Sequence, residues 1–306
     1  MKLSAKRKEI AKSTIDIIEQ GYYLYRDRKI NIAEVQQHAE DHCVLITPDK
    51  AQKVLEIYQA KVQANQANQA NQVENMEKVR RDEKAAPHAP KQHVVNQAAV
   101  EVITELYQAG IENIGVLNFA SAKNPGGGFL NGAMAQEESL AASSGLYGTQ
   151  LRQPRYYEAN RACKSMMYTH HAIYSPDVVF FRDGKFELLP NPVFASVLTL
   201  PAVNYGQVIL KGEDKDQAEI VMKERMALSL ALFAKQGHRT LVLGAYGCGV
   251  FRNDPVQVAQ WWKELIEDEG YGSYFDEIIY AVLDRSKDQA CIKAFENTFP
   301  TQSPLL

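Results

Sequence analysis

The sequence predicts an α/β protein: a three-layer α/β/α arrangement around a mixed sheet, extended at its N-terminus by helices. Three observations carry that expectation. After Val94 come five short runs rich in Val, Ile, Leu and Phe with little polar alternation, as expected of strands covered on both faces. Amphipathic helical segments lie between or beside them, the alternation of a largely parallel or mixed sheet with crossover connections. Two of the runs lead directly into glycine-rich segments, and in such folds ligands gather beyond the carboxyl ends of strands.

The elements follow in order. Ile10, Ile15, Ile17 and Ile18 form an apolar stripe at helical spacing, and "TPDKAQKVLEIYQAKV" starts a second helix with Thr47 as cap and Pro48 at its first position. From Gln63 to Gln72 the repeat "QANQANQANQ" has no bulky side chain, and mixed charge then runs to two prolines; this reads as an exposed helical arm ending near Ala86 rather than a loose linker. Residues 1–93 are therefore expected to be a helical extension, and residues 94–306 the main domain. In the latter, "NIGVLNFA", "DVVFFRD", "VFASVLTL", "RTLVLGA" and "EIIYAVLD" are the expected strands. Helices are expected at Asn96 to Gln108, Glu138 to Gln150, Pro154 to Lys164, Asp216 to Gln236, Pro255 to Glu267 and Lys287 to Asn297.

Composition narrows the function. A chain of 306 residues, 45% apolar, can bury a sizeable core. Its 34 basic and 37 acidic residues, net −3, give no global field for nucleic acid or membrane, so an anionic ligand must be held locally. Cys43, Cys163, Cys248 and Cys291 contain no CxxC pair, which suggests neither a zinc knuckle nor a disulfide framework but reduced thiols in a cytoplasm. No segment has the length of a membrane span or the pattern of a signal peptide. His38 and His42 share one helix face without an evident third ligand, so no metal site is expected there. His170 and His171 read as structural groups in a hydrogen-bonded turn.

The glycine segments carry the chemistry. In "RTLVLGAYGCGVFRNDPVQVAQWW" the loop is closed by Asp254 as a helix cap and Pro255 in the first turn. Its spacing, Gly244-x-x-Gly247-x-Gly249, is neither the dinucleotide fingerprint nor a P-loop. Such a loop can turn several N–H groups toward a phosphate, or it can simply permit a tight strand-to-helix turn. In "NPGGGFLNGAMAQEESL" three consecutive glycines, each losing more chain entropy on folding than any other residue, precede Gln136, Glu137 and Glu138. Acidic residues favour the first turn of a helix; the nearby glycine loop also offers a way to bring a ligand against them.

A glycine triplet, a short spacer and Gln-Glu-Glu resemble the signature of the poly(ADP-ribose) glycohydrolases, and the neighbouring words are similar to the microbial type of that catalytic domain. "LNFASAKNPGGGFLNGAMAQEESLAASSGLY", "HAIYSPDVVFFRD", "LPAVN" and "LVLGAYGCGVFRNDP" match in order over most of the chain after Val94. The resemblance implies a macrodomain fold that binds ADP-ribose across its strand-end crevice. It implies hydrolysis of the ribose–ribose O-glycosidic bond of poly(ADP-ribose) from chain ends, with no cofactor and no metal; removal of single ADP-ribose units from a protein, nucleic acid or small molecule, or simple reading of ADP-ribose, are the alternatives. Its partners would be poly(ADP-ribose) or an ADP-ribosylated protein, without sequence-specific nucleic-acid binding.

Carried onto this chain, the resemblance makes Glu138 the catalytic acid/base and sets Glu137 on a ribose hydroxyl beside the scissile bond. Asn124 with Gly126, Gly127 and Gly128 would hold the distal ribose. Gly247, Cys248, Gly249 and Val250 would cradle the pyrophosphate, and Phe251 would pack on the sugar or adenosine. Phe119, Ala120 and Ser121 would border the site, with Phe129, Gln136 and Gly244 completing the substrate-binding set. Cys248 is expected to matter through its backbone, as a small packing residue.

Overall fold

The computed structural model describes residues 3–76 and 89–300. The chain begins with α1 (Leu3–Gln20), a hairpin of β1 (Tyr22–Tyr25) and β2 (Arg28–Asn31), α2 (Ala33–His42), β3 (Val44–Ile46) and α3 (Pro48–Met76). Then come β4 (Lys91–Val95), α4 (Ala99–Gln108), β5 (Ile114–Phe119), α5 (Gln136–Ser143), α6 (Leu146–Leu151), α7 (Pro154–Ala162), β6 (Ala172–Arg182) and β7 (Leu188–Leu200). The remainder is α8 (Tyr205–Leu210), α9 (Lys215–Lys235), β8 (Thr240–Leu243), α10 (Pro255–Lys263), β9 (Glu277–Ala281) and α11 (Ala290–Thr298).

Seven strands form one mixed sheet in the order β3-β6-β7-β5-β8-β9-β4. The run from β7 to β4 is parallel, while β6 is antiparallel to both its neighbours. Alternate residues point to opposite faces, and each face has its own core. On one, Leu117, Leu198, Leu241, Leu243 and Tyr280 pack with α3, α9, α10 and α11; on the other, Val116, Val197, Val242 and Ile279 pack with α4, Leu140 and Leu146. This is the expected three-layer arrangement, and all five expected strands are present.

The N-terminal part is built into that arrangement. Val54, Leu55, Tyr58 and Val62 bury one face of α3 in the first core, and Ala11 on α1 packs with Phe129, Ala141 and Ala142. Four short strands that the apolar runs do not announce lie in this part: β1 and β2 pair as a separate hairpin, and β3 and β4 supply the two edges of the large sheet. The boundary expected after residue 93 falls inside β4. The Gln-Ala-Asn repeat continues α3, with Gln66 donating to the Asp268 carbonyl (2.7 Å). The expected end of the arm near Ala86 lies outside the described residues.

The helix expected from Glu138 to Gln150 is two helices. Ser144 leaves α5 with φ −148° and ψ 178° and bridges antiparallel to Phe180, while the Gly145 N–H donates to the Val179 carbonyl (2.9 Å). A tertiary strand-like contact outweighs local helix propensity here. The break turns Gln150 to face Glu137.

Candidate active site

β5 and β8 are adjacent and parallel, so the loops that follow them leave from the same end of the sheet. They also touch. The Phe119 ring lies 5.6 Å from that of Tyr246, and a β-carbon built on Gly244 would stand 3.2 Å from the Phe119 ring.

The first loop is closed by the protein's own carboxylates. Gly126 and Gly127 have φ of +62° and +58°, a region that side chains disfavour. At Gly127 a β-carbon would come 2.4 Å from Glu138 Oε1 and 3.0 Å from Glu137 Oε2, so neither carboxyl could keep its place beside any larger residue. The Gly128 N–H donates to Glu138 Oε1 (2.9 Å) and the Ala135 N–H to Glu138 Oε2 (3.0 Å), which caps α5 while holding the half-buried carboxyl against the triglycine backbone.

Glu137, 3% exposed, accepts three hydrogen bonds: from the Ser121 N–H (2.6 Å), Asn118 Nδ2 (3.2 Å) and Gln150 Nε2 (3.0 Å). Burial pushes its pKa up to about 8; the three donors oppose that rise and the neighbouring Glu138 adds to it. Gln150 also accepts from the Gly126 N–H through Oε1 (2.8 Å), so one fully buried amide couples the glycine turn to the buried carboxyl. Gln136 has a different task. β5 pairs with β8 only as far as Val116, and beyond it Gln136 takes the Phe119 N–H (2.9 Å) and donates to the Leu117 carbonyl (2.8 Å), fixing α5 to the strand end.

The second loop faces outward. Gly247 has φ +75°, and its carbonyl accepts from the Asn253 N–H (3.1 Å) and Nδ2 (3.0 Å), while Nδ2 also donates to the Val203 carbonyl (2.8 Å). Trp262 Nε1 holds the Gly244 carbonyl (3.1 Å), and Asp254 caps α10 by accepting from the Val256 N–H (2.8 Å). With its carbonyls held, the Gly249, Val250 and Phe251 N–H groups find no acceptor among the described residues. Val250 is 85% exposed. Three adjacent N–H donors without an acceptor in one turn are groups that an anion can satisfy.

The structure thus brings together Phe119, Ala120, Ser121, Asn124, Gly126 to Gly128, Glu137, Glu138 and Gly244 to Phe251 at one end of the sheet. Two of the expected residues point elsewhere. The Phe129 ring is buried between Ala11 and Ala141 and 5.0 Å from that of Tyr147, so only its main chain borders the loop; the Gln136 side chain is occupied with β5. Cys248 packs on the core, its thiol directed at the Tyr246 carbonyl (3.8 Å). Phe251 is half-buried, its ring 6.0 Å from that of Tyr168.

Four supporting residues carry no local sequence signal: Asn118, Gln150, Asn253 and Arg225. Each is polar and buried, and its role is visible only in the partners that the fold brings to it. Arg225, fully buried on α9, donates through Nη1 to the carbonyls of Met167 (2.8 Å) and Pro201 (2.9 Å), bracing the chain below Gly247. His170 lies 3.3 Å from the same guanidinium, and burial, with that charge beside it, pushes its pKa down to about 4. His38 and His42 stack, centroids 4.1 Å apart, on exposed turns of α2.

Comparison with known proteins gives a consistent result. The model of the microbial-type PARG (poly(ADP-ribose) glycohydrolase) catalytic domain matches residues 11–183, from within α1 into the β6–β7 turn. Among solved structures, poly(ADP-ribose) glycohydrolase from Thermomonospora curvata is 34% identical with a TM-score of 0.83, covering 96% of this chain and 100% of that one. The same protein bound to the inhibitor ADP-HPD matches at 33% identity and TM-score 0.83, over 96% of this chain and 100% of that chain. Poly(ADP-ribose) glycohydrolase from Deinococcus radiodurans in complex with ADP-ribose is 34% identical with a TM-score of 0.74, over 88% of this chain and 98% of that one. A search of curated proteins gives no match.

Proposed function

The chain belongs to the microbial-type poly(ADP-ribose) glycohydrolase family, and on that premise we propose how its residues divide the work of hydrolysis. The protein is a glycosidase that cleaves the ribose–ribose bond of poly(ADP-ribose) and releases ADP-ribose. Glu138 is the acid/base. As a carboxylic acid it gives its proton to the leaving ribose oxygen while the bond from that oxygen to the anomeric carbon breaks. The sugar passes through an oxocarbenium-like state. The resulting Glu138 carboxylate then takes a proton from the water that attacks the same carbon, so one water is consumed and the acid is restored.

The second loop holds the pyrophosphate on the Gly249, Val250 and Phe251 N–H groups, and the bound anion stabilises the cation forming nearby. Glu137, kept protonated through neutral pH by burial, is the group that meets a hydroxyl of the reacting ribose. Asn124 and the triglycine backbone shape the distal ribose pocket, and Phe251 packs on the remainder of the nucleotide. Cleavage proceeds from chain ends, and the polymer is carried on protein. Among the described residues no helix is long and apolar enough to cross a membrane, and the four cysteines are free thiols, which supports a cytoplasmic setting.

The observation that carries this reading is the Glu138 carboxyl, held against bare glycine backbone at the same strand end as three unsatisfied N–H donors. Incubation with poly(ADP-ribose) and with a mono-ADP-ribosylated protein tests it. Wild type should release ADP-ribose from the polymer, and Glu138→Gln should be slower by roughly 10²–10⁴ while still binding ADP-ribose. Equal rates would remove Glu138 from the chemistry.

A further inference from the structure

We propose that the outer rim of the triglycine loop is a docking surface for the leaving group, binding the pyrophosphate of the next ADP-ribose unit along the polymer. This rests on the glycohydrolase reading above. When the bond at Glu138 breaks, the departing side is itself a polyanion, since each further unit brings another pyrophosphate. That chain must leave the crevice over whatever borders the triglycine loop.

Both shoulders of the loop are cationic, although the protein as a whole has a net charge of −3. On the first, Lys123 stands exposed immediately before Asn124, and the exposed Arg161 donates to the Lys123 carbonyl through Nη1 (2.6 Å), which brings a second positive charge to that shoulder. On the second, α1 lies against the loop: a β-carbon on Gly132 would come 2.9 Å from the Ser4 carbonyl oxygen and 3.4 Å from Lys8 Cγ. This turn carries Lys6, Arg7 and Lys8 in succession and Lys12 one turn on, against Glu9 as the one acidic residue between Ser4 and Ile15.

Among the described residues, none of Lys6, Arg7, Lys8, Lys12, Lys123 or Arg161 has a carboxylate within ion-pair distance. Like charges gathered without counter-charges repel one another, and a polyanion relieves that repulsion. Between the shoulders the lip of the loop is open: Leu130, Asn131, Ala133 and Ala135 are exposed, and Ala135 is the residue whose N–H holds Glu138. The surface therefore begins beside the acid/base and continues outward. Its cations can contact phosphates there without touching the bound terminal unit.

The test uses Lys8→Glu with Lys123→Glu in the full chain, in an otherwise wild-type protein and in Glu138→Gln. The paired charge reversal should raise KM for poly(ADP-ribose) about tenfold and weaken polymer binding to the Glu138→Gln protein to a similar extent. The slope of log affinity against log salt should fall by roughly one to two. Affinity for free ADP-ribose should stay within twofold of the parent. Unchanged polymer affinity would overturn the proposal, and so would an equal loss for free ADP-ribose, which would assign these lysines to the terminal unit. The glycohydrolase reading fails separately, if wild type leaves the polymer intact.

Discussion

The two glycine loops stand side by side on neighbouring strands, yet they use the absence of side chains for opposite ends. In the loop after β5, the space where a Gly127 β-carbon would stand is taken by the carboxyls of Glu137 and Glu138. In the loop after β8, a β-carbon on Gly249 would have no neighbour within 4 Å. The first loop is bare so that the protein can close on itself and hold two acids against its backbone. The second is bare on its outer side, where N–H groups await a partner. A glycine's neighbours, more than its identity, thus tell whether it serves the fold or the ligand.

That contrast can be broken most decisively at Gly127. Gly127→Ala places a methyl group at φ +58° and 2.4 Å from Glu138 Oε1, so the carboxyl must move. Turnover of poly(ADP-ribose) should drop by about 10² or more, since small misplacements of a catalytic group have effects of that size. Near-normal turnover would mean the carboxyl position seen here is not the reactive one. Gly249→Ala should behave differently: its melting temperature should match wild type within about 1 °C, while ADP-ribose binding by calorimetry weakens roughly tenfold because the new methyl group obstructs the anion. Unchanged affinity would show that the ligand keeps its distance from this turn.

The smallest effect is a matter of pH. The Glu137 carboxyl is protonated in the folded protein up to about pH 8, whereas in the unfolded chain it ionises near its ordinary value of 4.5. Between those values the folded state binds the extra proton, so stability from this group is fully present below the lower pKa and is lost as pH rises through the window. Glu137→Gln cannot ionise and should escape that loss. Its melting temperature relative to wild type should therefore climb between pH 4 and pH 8, by a few °C. A constant offset across that range would place the titration elsewhere.

How much of this was legible depended on how local each cause was. The five main strands could be read because burial on both faces writes a continuous apolar run into the chain, and the Gln-Glu-Glu word could be read because its spacing to the triglycine is fixed by one loop. β3 could not: it has three residues, and its existence depends on pairing Ile46 with Ala172. The interruption at Ser144 depends on Phe180, and the place of Gln150 depends on that interruption. The division between the two carboxyls was legible only in part. Adjacent glutamates look alike in a sequence, and which of them is the more deeply anchored is decided by Asn118, Gln150 and Ser121.

The placement of β3 and β4 at the two margins of the large sheet has a practical corollary. A shortened chain begun at residue 96, to isolate the part bearing both glycine loops, would strip away both selvedges at once and leave the ladders of β6 and β9 unpaired along their outer rungs. Open rungs of that kind recruit one another, and the trimmed protein would be drawn toward clumping.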